Sequence, residues 1–480
     1  MRDLQERIAA LEQQIQKQAA SQDDAAKGRT VSAGELAAQT VKSTLLGESD
    51  QNGHTLQGVV PAAPLYENLR DAETKIARLQ EQVKSFEFHG YFRSGHGLNN
   101  RGGHQVAFKA PGADAKFRLG NEAETYGELI FVNNWLNPEH NSDSAWMKAE
   151  VMVEGNTTNS ASYANFNGGI GNDQFRLREA FIQAGNIFKS QRDAKFWAGE
   201  RYYRRYQAHL DDFYILDMSG YGGGVEDVNA KIGKISLAYL AGARPDVVTQ
   251  HGTYAKSNVD VRLYDINAPG GKAGVWFNFA TARGGKTQDG SVIPNARGYA
   301  FGVAHNRLEW HGGYNWISFQ YGTGAASNFS TSIDDPSAFI KDTKRLRFAQ
   351  HLLVQPNDKF AIMPIVVYQR TKDGNPRGGW NEWISFGARP QVFFSKYLSL
   401  AFESGFDRTR SSDGQYEGWL RKFTIAPQIG GGRQFFSRPV LRVFATYASW
   451  SNGLRGWVGG VPFQDRTRGL TYGVQAESWF

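Results

Sequence analysis

From Phe88 onward the chain is written in segments of about ten residues in which apolar and polar side chains alternate, separated by turns rich in Gly, Asn and Asp. A period of two is the mark of a β-strand, whose successive side chains point to opposite faces. The stretch 470–480 shows it well. Leu470, Tyr472, Val474, Ala476 and Phe480 share one face, broken by Ser478, and Thr471, Gln475, Glu477 and Trp479 share the other. At 88–94 the alternation sets Glu87, His89, Tyr91 and Arg93 against Phe88, Gly90 and Phe92. At 118–131 it sets Arg118, Glu122, Glu124, Tyr126 and Glu128 against Leu119, Ala123, Thr125, Leu129 and Phe131. Arg176 and Arg178 repeat the arrangement in 175–183. The same pattern predicts strands at 148–154, 259–267, 273–281, 298–306, 345–354, 361–370, 383–389, 398–406, 423–429 and 441–448. Units of about 20–24 residues over 87–480 predict roughly sixteen to eighteen strands, enough to enclose an aqueous channel.

The first 86 residues have another period. Leu4, Ile8, Leu11 and Ile15 step by four and three within 1–22, and the spacing resumes at Leu65, Leu69, Ala72, Ile76, Leu79, Val83 and Phe86. A polar linker at about 23–60 separates the two patches. With no apolar partner in the same stretch, the stripe is expected to bury against copies of itself as an oligomerising stalk, most simply a trimer. The domains are therefore 1–86, a coiled-coil extension, and 87–480, a barrel.

Composition decides what the strands face. Mean hydropathy is −0.50, yet the chain holds 31 Phe, 20 Tyr, 12 Trp and 54 Gly. No run of eighteen apolar residues exists, which excludes a helical span but not a barrel, whose lipid face uses alternate residues. A soluble two-sheet protein offers no reason for charges set regularly on one face. The aromatic Phe480 is expected to sit at a membrane interface as the last ring of a closing strand. There are no cysteines, so no disulfides, and the net charge of +7 is spread without a basic block, which leaves no nucleic-acid partner in view. No charged start followed by an apolar core marks an export signal.

A charge facing mid-membrane lipid costs about 2–4 kcal/mol for a basic residue, so the charged faces must look inward. A wall mixing Arg, Glu and Tyr suits neutral polyols, because a sugar ring has an apolar face for an aromatic and hydroxyls for charged partners. The stretch 201–220, RYYRRYQAHLDDFYILDMSG, loses alternation and is dense in Arg, Tyr, Asp and His. It is expected to be a loop that folds into the lumen and narrows it. Hydrolysis is disfavoured: Asp211 and Asp212 would face opposite ways, and Glu122 with Glu124 lie on one strand and cannot flank a bond from two sides. No His/Cys cluster has metal spacing, no cofactor is called for, and Tyr221-Gly-Gly-Gly lacks the setting of a phosphate loop.

The stretches FEFHGYFRSGHG, FRLGNEAETYGEL, the 201–220 loop, and SRPVLRVFATYASW with the final ESWF resemble the maltoporin family of outer-membrane sugar channels, over nearly all of 86–480. The resemblance implies an all-β, eighteen-stranded antiparallel transmembrane barrel, a homotrimer in outer-membrane lipid with periplasmic termini, and facilitated diffusion of maltodextrins past a line of aromatics. Family aromatics map onto Tyr91, Tyr126, Trp383 and Trp479, with Tyr214 at the constriction and Phe166 as the candidate ring lent to a neighbouring subunit. The polar track maps onto Arg93, Arg118, Glu128, Arg178, Arg205, Asp212 and Asp217. Gln207 stands where the family has Asp, Val259 occupies an aromatic position, and Ala107 and Ala123 fill the places of the first-loop disulfide. The N-terminal extension resembles that of sucrose and β-glucoside porins, and a periplasmic sugar-binding protein is a possible partner for it. An ion-conducting porin without sugar specificity and a stalked surface adhesin are the rival expectations.

Overall fold

The structure, a computed structural model, describes residues 85–122, 124–136, 144–157, 174–249, 252–286, 292–332 and 340–480. All of the expected stalk and linker before Ser85 lies outside them, as does Phe166. Eighteen strands form the wall. They begin with β1 (Phe86–Asn99), β2 (Thr125–Leu136), β3 (Trp146–Thr157), β4 (Gln174–Gly185) and β5 (Lys195–Arg201). A short hairpin, β6 (Tyr206–Ala208) and β7 (Phe213–Leu216), leaves the wall before it resumes with β8 (Gly220–Asn229), β9 (Lys234–Thr249), β10 (Gly252–Ala268) and β11 (Gly271–Ala282). A second small hairpin, β12 (Gly285–Lys286) and β13 (Val292–Ile293), precedes β14 (Ala296–Trp310), β15 (Gly313–Thr323), β16 (Lys344–Asn357) and β17 (Phe360–Lys372). The wall ends with β18 (Asn381–Phe393), β19 (Leu398–Arg410), β20 (Glu417–Gly430), β21 (Val440–Trp450) and β22 (Arg468–Trp479).

Each wall strand pairs antiparallel with the next, and β22 pairs with β1 from Tyr91↔Trp479 to Asn99↔Thr471. The sheet is therefore a closed barrel, which leaves no wall edge with unpaired backbone groups. Phe480 completes the closure: its amide donates to Gly90 O at 3.0 Å and its carbonyl accepts from Gly90 N at 2.9 Å. Outward positions carry exposed apolar side chains such as Phe88, Leu129, Phe277, Val366, Phe402 and Val474, the outer band expected of a transmembrane barrel. Three two-residue connections (269–270, 311–312, 358–359) lie on one rim, and three of the longest (100–124, 202–219, 324–343) lie on the other, the long rim.

Three long-rim connections fold inward. In 100–124, the Lys116 amide donates to Asp211 O at 3.2 Å and the Arg118 amide to Leu210 O at 3.1 Å, which ties this connection to 202–219. The Asp217 amide donates to Phe329 O at 3.0 Å, and the Thr331 amide to Asp217 O at 3.2 Å, which ties 202–219 to 324–332. Phe117 lies across β18 and β19 where a Cβ on Gly387 or Gly405 would collide with its ring. Only glycine leaves that trough.

Two sequence expectations change here. Residues 118–122 and 124 are not wall: β2 starts at Thr125, and Leu119, expected to face lipid, is buried inside against Ala401, Ala426 and Phe444. On β17, Ala361, Met363, Ile365 and Val367 face inward and are buried, while Phe360, Ile362, Pro364 and Val366 face out. That part of the lumen wall is as apolar as the lipid side, because loop residues including Phe117, Phe213 and Ile215 cover it in one cluster.

Candidate functional site

The 202–219 loop stands opposite β1–β4 and makes a throat. Arg205 is its centre. Its guanidinium lies 3.3 Å from the Tyr202 ring centroid and 5.0 Å from that of Tyr214, a cation–π sandwich, and Nη1 reaches the Tyr214 hydroxyl at 3.5 Å. Neither Nε nor Nη2 of Arg205 has a hydrogen-bond partner among the described residues. Asp212, held at φ 54°, accepts from Gln207 Nε2 at 2.5 Å. Gln207 thus caps the one throat acid beside it. Asp217 accepts from the Ser219 amide at 3.1 Å.

Across from the loop, β1 and β2 bring Tyr91 and Tyr126 together, centroids 6.0 Å apart, and the Arg93 guanidinium sits 5.0 Å from the Tyr126 ring. The Tyr126 hydroxyl donates to Glu128 Oε1 at 2.5 Å. Tyr91 is buried, donating to Glu477 Oε1 at 3.1 Å and accepting from Arg118 Nη2 at 3.1 Å. Arg118 also donates from Nε to Glu122 Oε2 at 2.9 Å. Burial alone would raise the Glu122 carboxyl, but Arg118, Arg93 and Lys116 overcome it and bring its pKa down to about 2. Arg93 pairs with Glu124 and Glu122, and Arg178 with Glu154. A register shift in β4 between the pairs Met152↔Glu179 and Val153↔Leu177 leaves Arg178 as the extra residue, so that Arg178 and Glu179 both turn inward instead of alternating.

The structure gathers Tyr91, Tyr126, Arg93, Glu128, Arg178, Arg205, Asp212, Tyr214 and Asp217 around the throat. Trp383 and Trp479 are placed on the inner wall but covered. Trp383 is 1% exposed, with Phe213 edge-on at 5.1 Å and its Nε1 donating to Asp407 Oδ1 at 2.9 Å. Trp479, 8% exposed, lies under Arg438 at 4.4 Å and near Phe436 at 6.4 Å. Val259, expected in the aromatic line, is 39% exposed on the outer face of β10, where Asn258 and Asp260 point inward. Tyr202 and Glu154 were not singled out by sequence reasoning. Alternation in 148–154 marks Glu154 as inward, whereas nothing local distinguishes Tyr202 from its loop neighbours.

A closed eighteen-stranded wall, apolar outside and charged inside, with inward-folded loops narrowing its bore, defines a porin barrel. The profile of the LamB porin family matches residues 86–480, and the chain belongs to that family. Among solved structures, OccD3 (OpdP) of Pseudomonas aeruginosa is similar at 9% identity and a TM-score of 0.41, covering 82% of this chain and 91% of that one. The anion-selective porin from Comamonas acidovorans is 10% identical with a TM-score of 0.39, covering 82% and 99%. OmpT of Vibrio cholerae, in its trimer form, is 9% identical with a TM-score of 0.37, covering 82% and 99%. The superpositions are too loose for residue-level correspondence.

Proposed function

We propose that this porin is an outer-membrane channel for facilitated diffusion of oligosaccharides, maltodextrins or close relatives, working as a homotrimer. The observation that carries the reading is the throat itself. Tyr126 and Tyr214 are partly exposed rings flanked by Arg93, Arg205, Glu128 and Asp212. A pyranose stacks its apolar face on such rings while its hydroxyls trade partners among the charged groups. Each contact must be weak, since a channel that binds tightly does not conduct. With Trp383 and Trp479 covered within one chain, the stacking path centres on Tyr126 and Tyr214, and Tyr91 backs it. The N-terminal extension is assigned to the periplasm, where a sugar-binding protein is a fitting partner. The second reading, an ion-conducting porin, draws on the many lumenal ion pairs, which by themselves need no sugar.

The test is a planar-bilayer titration with maltotriose, sucrose and an aryl β-glucoside side by side. Maltotriose is expected to block current most strongly, and Tyr126→Ala to weaken that block about two- to tenfold with open conductance in salt nearly unchanged, matching an aromatic contact of about 0.5–1.5 kcal/mol. Current indifferent to all three sugars would leave only the ion-conducting reading. A stronger block by sucrose or the glucoside would move the substrate to those branches.

A further inference from the structure

A small polar cavity of about 10 Å³ lies among Arg118, Glu122, His209, Arg389, Arg442 and Glu477. That is room for one water or an ion of similar size. Its walls come from two of the inward-folded connections, 100–124 and 202–219, and from three wall strands, β18, β21 and β22. The charges around it do not balance. Ion pairs join Arg93, Lys116, Arg118, Arg438 and Arg442 to Glu122, Glu124 and Glu477, and join Arg389 and Lys422 to Glu403. Those seven cations meet four carboxylates in ion pairs, or six carboxylates when Asp212 beside Arg118 and Asp407 beside Lys422 are counted. Positive charge stays in excess, in a region where Arg118, Arg389 and Arg442 are all buried. Uncompensated charge away from water is costly, and an anion offsets it where a water does not.

Donors are also left over. Arg442 gives Nη1 to Gln475 Oε1 at 2.7 Å and Nη2 to Glu477 Oε2 at 2.8 Å, while its buried Nε has no partner among the described residues. His209 Nδ1 lies 3.3 Å from Arg118 Nη1. A guanidinium can only donate, so Nδ1 accepts and a neutral ring carries its hydrogen on Nε2. The ring is neutral because burial, with Arg118 and Arg389 beside it, holds the imidazole well below its usual range.

The geometry points to a binding site for one chloride-sized halide ion in this cavity, held by the Arg442 Nε–H beside the lining His209 ring within the excess positive charge. The ion fastens connections 100–124 and 202–219 to the wall behind the throat. The site is independent of which solute the channel passes. Crystals of the full chain grown in bromide provide the first test: an anomalous peak is expected within hydrogen-bond distance of Arg442 Nε. Density there without anomalous signal means a water only, and overturns the proposal. Detergent-solubilised protein supplies a second readout. Its unfolding midpoint is expected to rise with the logarithm of bromide or chloride concentration relative to sodium gluconate at equal ionic strength. Arg442→Gln should flatten that dependence, and so should His209→Phe if the first variant fails to assemble. An equal halide dependence in wild type and in the assembled variant would sink the site.

Discussion

Two arcs of the same inner wall differ in what they touch. On β1–β4 the inward side chains are Tyr91, Arg93, Glu128, Glu154 and Glu179, and they meet a throat loop rich in Arg, Tyr and Asp. On β16 and β17 they include Ala349, Leu353, Ala361, Met363, Ile365 and Val367, which join one apolar cluster with Phe213 and Ile215 of the same loop, alongside the polar Arg347, His351, Gln355 and Gln369. A loop that narrows a pore has to be held against the flow of solute. One face of it therefore packs as a protein core does, and the other stays polar for whatever passes. The lumen is not one solvent but two, water on one side and a dry core on the other. Arg347 marks the junction: buried on β16, it donates to Ile215 O at 2.6 Å and to Asp114 Oδ2 at 2.9 Å, and so grips two of the inward-folded connections, 202–219 and 100–124.

If the apolar arc is the anchorage, emptying it should cost far more stability than trimming the polar arc. Phe117→Ala removes a buried ring from the Gly387/Gly405 trough and is expected to cost about 3–5 kcal/mol, as other buried Phe truncations do. Arg178→Gln, which keeps a donor for Glu154 at a side chain 34% exposed, is expected to cost less than about 1 kcal/mol. Unfolding midpoints in detergent compare the two directly. The Phe117 variant should also give a noisier open-channel current as the throat loosens. Comparable losses from both variants would mean that the arcs do not divide the labour.

An intermediate effect is expected where an acid has been carried into the dry side. Asp211 is 1% exposed, and neither carboxylate oxygen has a partner in another residue among the described residues. Burial and the neighbouring Asp407 push its pKa well above the usual 3.8. The folded state thus holds this proton more tightly than the unfolded chain. The stability from that proton is complete below pH 3.8 and is lost as pH rises through the folded pKa. Asp211→Asn is expected to unfold later than wild type at pH 8, by about 1–3 kcal/mol for a buried polar group without a partner. The two should converge below about pH 4. A gap of the same size at pH 4 and pH 8 would mean that the acid does not titrate on unfolding.

The polar arc was legible in the sequence, and the apolar arc was not. Alternation marks a strand only where its two faces differ, as at Tyr91 and Arg93 against Phe88 and Phe92 on β1. In the run Phe360–Val367 both faces are apolar, so a strand was predicted there without any sign that its inner face is dry. The 118–124 stretch alternates as a strand would, yet 118–122 and 124 are loop, because Arg118 and Glu122 answer ion-pair partners inside the barrel rather than a pleat. β5, β8, β9 and β15 were missed. On β8, Gly222 and Gly224 carry no side chain to register, and a Cβ on either would strike the backbone of β9. The throat loop declared itself by losing alternation, but its partners are distant in the chain. Neither Phe213 against Trp383 nor Arg442 against Glu477 leaves a local signal.

The smallest effect separates ring from hydroxyl at the polar arc. Tyr126 offers solute an aromatic face, while its hydroxyl is already spent on Glu128 at 2.5 Å. Tyr126→Phe keeps the face and releases Glu128, which Arg205, Arg178 and Arg93 still surround. The maltotriose block should therefore change by less than about twofold, against the two- to tenfold loss expected for Tyr126→Ala, since only the ring contributes stacking. A freed Glu128 also becomes an additional acceptor for a sugar hydroxyl, so any change in the Phe variant should favour tighter block rather than weaker. If Tyr126→Phe instead loses as much block as Tyr126→Ala, the hydroxyl–carboxylate pair is what the solute reads. The polar arc would then act by hydrogen bonding alone, with no aromatic platform in it.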